Sequence, residues 1–315
     1  MKNICGLPES VGNNWKAKAA SLLLLVMALT AQAKLNVVAT LPDFGSIAES
    51  IGGDKVKVTS IARGAEDPHF VDARPSFIRV LNQADILIEG GAELEIGWLP
   101  PLVNGARNSK IVGNAPGHVI LSTGLPLLEV PTTAVDRSQG DVHPGGNPHY
   151  WLDPVNAKPI AARLAEIFTQ LDAANAAEYA ANLKKFNAAL DEKLTAWMKQ
   201  LEPFKGVKVV TYHKSFDYLL KRFGFELVAT LEPKPGLEPS PTHLSTLIPR
   251  MKSEGVKLIL IETFRPRRTP ERVATDTGAK LLVLPSSVGG APEAKDYFSL
   301  FDHDVAQIAK ALGGK

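Results

Sequence analysis

Cysteine is almost absent from this chain: Cys5 is the only one among 315 residues, which excludes an internal disulfide. Aromatic residues make up only 7% of the chain, and acidic and basic residues are nearly balanced at 33 and 35. Without a basic excess, the composition argues against nucleic acid as a partner. What is present is an apolar content of 45%, which is enough for a globular protein with a large core.

The N-terminal segment has the pattern of a cleaved export signal. Lys16 and Lys18 precede the apolar run AASLLLLVMALTA, which ends in the small-residue pattern AQA at Ala31 to Ala33. The run is short for a membrane span, so an uncleaved anchor is the weaker alternative. Cleavage after residue 33 removes Cys5, three lysines and one glutamate, which leaves 32 basic and 32 acidic residues. We therefore expect residues 1–33 to be a signal peptide and the mature chain to be periplasmic.

Short apolar runs alternate with helical patterns on both sides of the middle of the chain. The runs are rich in β-branched residues and almost continuously apolar, as expected for parallel strands that are covered on both faces. Their alternation with helices predicts the α/β class, with two lobes that each contain a small parallel sheet flanked by helices. The predicted strands of the first lobe are residues 35–40, 56–61 and 84–91, and those of the second begin at Val207, Phe225, Val256 and Ala279.

Residues 156–200 differ from both lobes because they are rich in alanine, leucine, lysine and glutamate and contain no glycine. Their apolar spacing predicts one helix from about Asn156 to Leu171 and a longer one from about Asn175 to Gln200. We interpret the longer helix as a rigid connector of the lobes, although the pattern is also typical of a packing helix within one domain. The predicted organisation is a first lobe over 34–173, a linking helix over 174–201 and a second lobe over 202–315.

Three histidines occupy comparable places near the ends of predicted elements. His69 follows the strand 56–61 after a short turn, His149 lies in NPHYWLDP before a helix start, and His213 ends the strand in VKVVTYH. Ligands of open α/β sheets bind beyond the carboxyl ends of the strands, so a shared site would lie in the cleft between the lobes. A single histidine is more often a surface or hydrogen-bonded side chain, and spacing alone leaves both interpretations open.

The segments around these histidines resemble a known family. EDPHFVDARPSFIRVLNQADILIEGG, NPHYWLDPVNAK, YHKSFDYLLKRFGFELV and PGLEPSPTHLSTLI are similar, in this order, to motifs of the periplasmic zinc- and manganese-binding proteins of bacterial ABC transporters. The resemblance implies two lobes joined by one long rigid helix, with the metal held in the cleft between them. It also implies that His69, His149 and His213 are the metal ligands.

The resemblance favours Zn2+ over Mn2+ as the bound ion. A histidine at the position of His213 accompanies zinc in this family, where a glutamate accompanies manganese, and three imidazoles suit zinc on chemical grounds. Many relatives supply an aspartate after the last strand, but LPSSVGG offers Ser286 or Ser287 instead. We expect a water molecule as the fourth ligand, with Glu66 and Glu262 as the next candidates, either as ligands or as outer partners.

The loop before His149 contains a further candidate. Relatives that bind zinc often carry a histidine-rich or acidic loop at this point, and this chain retains His143 and Asp141. The two residues form a candidate metal-capture loop, but because only one histidine remains, the favoured interpretation is that His143 is an ordinary solvated residue. His118 and His243 are interpreted as structural or surface residues.

The resulting hypothesis is high-affinity capture of a divalent transition metal, with Zn2+ favoured, by a periplasmic monomer that delivers it to an ABC-type membrane permease. One alternative is a zinc-dependent hydrolase, because three histidines and a water also form a hydrolytic zinc site, with Glu66 or Glu262 as base. No H-E-x-x-H helix, G-x-S-x-G elbow or phosphate-binding glycine loop supports an enzyme. The other alternative is a surface adhesin of the same architecture, which the position of Cys5, upstream of the apolar run, disfavours.

Overall fold

A computed structural model describes residues 33–133, 140 and 142–313 of the chain. Residues 1–32 of the predicted signal peptide and Asp141 of the candidate metal-capture loop lie outside these described residues. Two four-stranded parallel sheets with flanking helices form the structure, which confirms the predicted α/β class. Within the described ranges, none of the helices combines the length and the apolar composition that a membrane span needs.

The first sheet consists of β1 (Leu35–Ala39), β2 (Val56–Ser60), β3 (Ile86–Glu89) and β4 (His118–Ile120). The strands are parallel and lie in the order β2-β1-β3-β4. The central strands β1 and β3 are largely buried, as expected for a sheet covered on both faces. The sequence pattern did not predict β4, because this edge strand has three residues and only Val119 among them is buried.

The second sheet consists of β5 (Lys208–Thr211), β6 (Glu226–Thr230), β7 (Leu258–Glu262) and β8 (Lys280–Leu284). It repeats the arrangement of the first sheet, with parallel strands in the order β6-β5-β7-β8. All residues of β7 are buried, including Glu262 at its carboxyl end. In each sheet the chain crosses to the opposite side between two central neighbours, β1 and β3 or β5 and β7. Such a switch point leaves a crevice at the carboxyl ends of the strands, where ligands bind in α/β proteins.

Helices α1 to α9 cover these sheets and connect them. Pro75 begins the helix Pro75–Asn82, at a position where its missing N–H forms no helical hydrogen bond in any case. The α9 helix begins with a capping box, in which Asp296 accepts from the Ser299 backbone N–H at 2.8 Å. The bounds are Pro42–Gly52 for α1, Pro75–Asn82 for α2, Leu99–Ala106 for α3, Ala157–Leu171 for α4, Ala176–Leu201 for α5, Asp217–Phe223 for α6, Pro241–Glu254 for α7, Arg268–Thr277 for α8 and Tyr297–Ala311 for α9.

The long helix α5 links the two lobes. It contains 26 residues, which at 1.5 Å per residue corresponds to about 39 Å. Asn182 donates to a backbone carbonyl of α1 at 3.0 Å in the first lobe, and Trp197 donates to Asp302 of α9 at 2.8 Å in the second. Phe186 packs against Phe298 with ring centroids 5.0 Å apart. The connector is therefore packed along its length, and its side chains belong to the core of both lobes.

The last helix, α9, also joins the lobes. The Tyr297 backbone N–H donates to Ser46 Oγ at 2.9 Å, and the Tyr297 hydroxyl donates to the Trp151 carbonyl at 2.6 Å. Buried apolar residues from both lobes form one continuous core, while a smaller core lies on one face of the second sheet. Because closely packed interiors deform little, side chains that extend from this core into the cleft keep well-defined positions.

Candidate metal centre

The three histidines of the sequence hypothesis lie together between the two sheets. Their ring centroids are 5.1 Å apart for His69 and His149, 5.3 Å for His149 and His213, and 5.6 Å for His69 and His213. One ligand nitrogen of each lies within 4.8 Å of the other two, close enough to hold a metal ion. The Nε2 atoms of His69 and His149 are 3.1 Å apart. Two nitrogens on a tetrahedral zinc with bonds of about 2.0–2.1 Å would be about 3.3 Å apart, so this pair is already near coordination geometry.

All three imidazoles are shielded from solvent, with relative exposures of 7% for His69, 2% for His149 and 3% for His213. Burial lowers the pKa of His69 and His149 well below the usual 6.5, and the charges of neighbouring histidines and Arg265 lower it further. These two rings are therefore neutral at neutral pH. Since a metal binds only the neutral imidazole, burial keeps both rings in the ligating form.

His149 is oriented by Asn147, two residues before it. Asn147 Oδ1 accepts from the His149 backbone N–H at 3.0 Å, and the Asn147 side-chain nitrogen donates to the Lys214 carbonyl at 3.0 Å. These two bonds identify the oxygen and the nitrogen of the amide, so His149 Nδ1, 2.9 Å from the same Oδ1, must donate its proton. The other ring nitrogen, Nε2, is left with a lone pair, and it faces His69.

His213 is oriented by a carboxylate from the loop that follows the neighbouring strand β6. Its Nδ1 lies 2.7 Å from Glu232 Oε2, and both side chains are buried. Burial alone would lower the pKa of His213, but the hydrogen bond to Glu232 and the charges of Glu232 and Glu262 outweigh it and raise the pKa. The pair has the form of a carboxylate–histidine–metal arrangement, in which the carboxylate fixes the ring and increases the basicity of the opposite nitrogen.

His69 is held through its backbone. Its N–H donates to Asp67 Oδ1 at 3.0 Å, and the Trp98 indole donates to the Pro68 carbonyl at 3.0 Å. The short loop after β2 is thus fixed at two consecutive positions before the histidine. Phe70, the next residue, is 70% exposed, so the chain reaches the surface immediately beyond the site.

The segment NPHYWLDP supports His149 with aromatic surface. The Trp151 ring lies 5.3 Å from the His149 ring, and Tyr150 stacks on Phe44 with ring centroids 5.9 Å apart. Asp153 accepts from the Val155 backbone N–H at 3.0 Å and so caps the helical turn Pro154–Asn156. His149 therefore extends from a packed frame.

This fold and site can be compared with known proteins. The family described as "Zinc-uptake complex component A periplasmic" matches residues 37–311. The chain belongs to this family. Its members are substrate-binding proteins of transporters and not enzymes, so the chain is an extracytoplasmic component of an ABC transporter that binds a divalent metal. The family predicted by resemblance is confirmed, and the hydrolase alternative is not supported.

Two similar transporter proteins are named for a metal in general and for manganese. A metal ABC transporter substrate-binding lipoprotein from Streptococcus cristatus is 27% identical over 296 residues, with 90% of each chain covered. A manganese ABC transporter substrate-binding lipoprotein from Streptococcus anginosus is 27% identical over 295 residues, which cover 90% of this chain and 91% of the relative. A crystal structure of ZnuA superposes with a TM-score of 0.73 at 25% identity, covering 88% of this chain and 99% of that chain.

The two glutamates considered for the fourth ligand position lie in different surroundings. The Glu66 carboxylate is 3.9 Å from Arg63 Nε and 3.7 Å from Arg74 Nη2. Glu262 is fully buried and accepts from Ser215 Oγ at 2.5 Å. Among the described residues, the group of ligand atoms within 4.8 Å of one another contains the three histidines and neither glutamate. This placement favours an outer role for Glu262 and leaves Glu66 paired with arginines.

The segment after β8, where many relatives carry an aspartate, is fixed by contacts with the first lobe. The Ser287 hydroxyl donates to Asp43 through a short hydrogen bond, and the Val288 backbone N–H donates to Asp43 at 3.1 Å. Burial raises the pKa of Asp43 to about 7, although these hydrogen bonds partly oppose the increase. The Trp151 indole donates to the Ser286 carbonyl at 2.9 Å. Ser286 and Ser287 thus take part in contact between the lobes, and this segment has no carboxylate for a metal.

His143 lies closer to the site than a solvated loop residue would. Its exposure is 8%, and its ring stacks on that of His69 with centroids 5.1 Å apart and planes at 25°. It lines a cavity of about 140 Å³ together with His149, His213 and Lys214. The interpretation of His143 as an ordinary solvated residue is therefore wrong, and its ring covers the histidine cluster on one side.

Sequence reasoning missed three residues around the cluster: Asn147, Glu232 and Arg265. The Arg265 guanidinium is 14% exposed and lies near Glu232, Glu262 and Asp67. A sequence signal existed for Glu232. It follows β6 by two residues, as His213 follows β5, and the register pairs Thr211 with Thr230. Two parallel strands predicted side by side would have placed these side chains together.

Proposed function

We propose that the chain is a monomeric periplasmic protein that captures Zn2+ and delivers it to the membrane permease of an ABC transporter. The observation that carries this proposal is the set of buried, oriented imidazoles. His149 and His213 each have Nδ1 bonded to a protein acceptor, which leaves Nε2 as the coordinating nitrogen. Together with His69, they form a donor set whose ligand atoms lie within 4.8 Å of one another. Pre-placed ligands favour tight binding because little ordering cost remains to be met on loading.

The donor chemistry favours Zn2+ over Mn2+. Three neutral imidazoles with a water in the fourth position form a tetrahedral zinc site, whereas Mn2+ favours more ligands and harder oxygen donors. Two carboxylates close to the histidines already have hydrogen-bond partners in the protein: Glu232 bonds His213 Nδ1, and Glu262 accepts from the Ser215 hydroxyl. In this proposal they act on the ion through the ligands they hold.

The proposal extends to the organisation of the chain. Residues 1–33 are removed on export, residues 34–173 and 202–315 are the two lobes, and residues 174–201 are the linking helix. His143 contacts the entering ion before it reaches the three ligands, since its ring stacks on His69. Asp141 belongs to the same capture loop. Because α5 and α9 are packed into both lobes, release requires the permease to displace the site loops or distort one lobe relative to the other.

The test is a measurement of metal content and preference. The mature protein is purified without chelator or nickel resin, its metal content is determined by mass spectrometry, and zinc and manganese affinities are measured by competition with a chromophoric chelator. We expect one zinc per chain and a manganese affinity at least about 100-fold weaker, in line with the donor set.

Manganese bound as tightly as zinc would contradict the zinc assignment but leave metal transport intact. Failure to bind either ion would contradict the proposed function as a whole. Because other transition metals also bind imidazole well, cobalt and nickel are included in the competition as a check on the order of affinities.

A further inference from the structure

Arg265 occupies an unusual position for a cation, directly beside a site proposed to bind a cation. It follows β7, and its backbone N–H donates to the Glu262 carbonyl at 3.1 Å, which forms a tight turn. Its guanidinium carbon lies 5.1 Å from the Tyr212 ring centroid and 5.2 Å from that of Phe264. Two aromatic faces therefore hold the cation at the cleft.

Each nitrogen of the guanidinium faces a different carboxylate. Nη2 is 3.4 Å from Asp67 Oδ2, Nη1 is 3.5 Å from Glu232 Oε1, and Nε is 3.6 Å from Glu262 Oε2. These separations exceed the 2.7–3.2 Å of ordinary N–H···O hydrogen bonds. Arg265 is therefore held by the summed attraction of three carboxylates and not by one bidentate pair.

The same carboxylates hold the residues of the histidine cluster through their other oxygens. Asp67 Oδ1 accepts from the His69 backbone N–H at 3.0 Å, and Glu232 Oε2 bonds His213 Nδ1 at 2.7 Å. Glu262 Oε1 accepts at 2.5 Å from the hydroxyl of Ser215, two residues after His213. Arg265 therefore faces both the carboxylate that supports His69 in the first lobe and the carboxylate that supports His213 in the second.

The charges explain why a cation is compatible with this place. When ionised, the three carboxylates and one guanidinium sum to two negative charges, which a divalent ion balances. Without the guanidinium, the buried carboxylates of Glu232 and Glu262 and the partly exposed carboxylate of Asp67 would repel one another, and an unpaired buried charge is strongly destabilising. Arg265 therefore offsets this repulsion directly beside the carboxylates that support His69 and His213.

We propose that Arg265 is a positioning residue that couples the two lobes at the metal site, by fixing the Asp67 loop that carries His69 relative to the Glu232 carboxylate that orients His213. This inference rests on the proposed function, since it concerns the same site. The fork of Arg265 is needed because a lysine, as a single point charge, cannot face three carboxylates in different directions.

The experiment is a double-mutant cycle with Asp67→Asn and Arg265→Lys, in which zinc affinity is measured by chelator competition at pH 7.5. Loss of an outer partner weakens metal binding by about 10–100-fold, and we expect each single variant to fall in this range. If both residues act through one contact, the zinc affinity of the double variant will be no more than about threefold below that of the single variant with the lower affinity. Effects that multiply would overturn the coupling.

The matched control is another ion pair between the lobes. Arg222 contacts Asp153 with two hydrogen bonds of 2.7 Å, and neither residue bonds a site histidine. Arg222→Lys, which matches Arg265→Lys, should change zinc affinity less than about threefold, far below the range for an outer partner of the metal. Equal losses in Arg222→Lys and Arg265→Lys would show that any contact between the lobes suffices, and would overturn the specific role of Arg265.

A spectroscopic measurement separates positioning from general stability. The d–d absorption of Co2+-loaded protein reports ligand geometry, and urea unfolding of the metal-free protein reports the fold. We expect an altered Co2+ spectrum in Asp67→Asn and Arg265→Lys but an unaltered one in Arg222→Lys, at comparable unfolding midpoints. Wild-type affinity and spectrum in both site variants would overturn the inference alone, whereas wild-type protein that binds neither Zn2+ nor Co2+ would overturn the proposed function.

Discussion

The two lobes share one strand order but hold their histidines in different ways. His149 of the first lobe is oriented by the neutral amide of Asn147 at 2.9 Å, whereas His213 of the second is oriented by the carboxylate of Glu232 at 2.7 Å. The pKa of His149 is lowered by burial, while that of His213 is raised because the hydrogen bond to Glu232 and the charges of Glu232 and Glu262 together outweigh burial. A neutral partner fixes only the ring, but a charged partner also makes the ring a stronger ligand for metals and protons. His149 of the first lobe is therefore a ligand of fixed orientation, whereas His213 of the second lobe makes zinc affinity depend on pH.

The largest expected effect comes from removing the ligand of the second lobe. His213→Ala should weaken zinc binding by more than about 100-fold, beyond the usual cost of losing an outer partner, because a donor is lost and Glu232 remains buried without its imidazole. Chelator competition measures the affinity, and circular dichroism checks the fold. His243→Ala is the matched control, since His243 contacts only the Thr230 carbonyl, at 3.1 Å, among the partners the structure shows for its ring. Zinc titration of His213→Ala identical to that of the wild type would contradict the site.

Acidification tests the same asymmetry without a mutation. The pKa of His213 is raised above 6.5, so protons begin to compete with the metal above that pH. His69 and His149, whose pKa values are lowered, stay neutral until the solution is far more acidic. Below the pKa of His213, zinc affinity should fall by about tenfold per pH unit, because binding displaces one proton. Zinc affinity that is flat between about pH 7.5 and 5 would contradict the assignment of neutral imidazole ligands.

Glu232→Gln should convert the support of His213 into one that resembles the support of His149. At pH 8 we expect zinc affinity to fall by about 10–100-fold, because the imidazole is less basic without the carboxylate. The pKa of His213 should fall as well, so the loss of affinity on acidification should begin at a lower pH than in the wild type. The zinc affinities of both proteins are measured from pH 8 to 5. Profiles that coincide would show that Glu232 affects neither zinc affinity nor its pH dependence.

Asn147→Ala should have the smallest effect of the four. It removes the acceptor of His149 Nδ1 and the bond to the Lys214 carbonyl, but no charge, and Trp151 still packs against the ring. We expect a loss of zinc affinity of about tenfold with an unchanged pH profile, at the lower end of the range for outer partners. Asn182→Ala is the control, because the Asn182 side chain on α5 donates to a backbone carbonyl of α1 and not to a site residue. A shifted pH profile in Asn147→Ala would contradict the contrast between the lobes.

The local pattern of the sequence was sufficient to predict most helices and strands and to select the three histidines of the site. Continuous apolar runs predicted seven of the eight strands that the described residues contain, and the glycine-free stretch predicted both α4 and α5. The edge strand β4 was missed because it is short and half exposed. His69, His149 and His213 could be selected because each follows or precedes a recognisable element, and their resemblance to family motifs removed the ambiguity that spacing left.

The partners of these histidines were harder to find. Glu232 lies in a loop without an apolar pattern, and Arg265 lies in a turn rich in arginine and proline, where a surface position is the ordinary expectation. Both are nevertheless largely buried, because Glu232 bonds His213 and the guanidinium lies between aromatic rings. His143 was misjudged for the same reason, since its burial results from stacking on a residue 74 positions earlier.

The sequence by itself determined the elements of this protein, because helices and strands depend on the periodicity of apolar residues within one segment. It also determined which nitrogen ligands are available, since these are residue types at countable positions. Only the tertiary structure decided which carboxylate supports which imidazole and which loop reaches across the cleft. Those choices depend on strand order and on packing between segments far apart in the chain, where contacts of a few ångströms set orientation, charge and proton affinity.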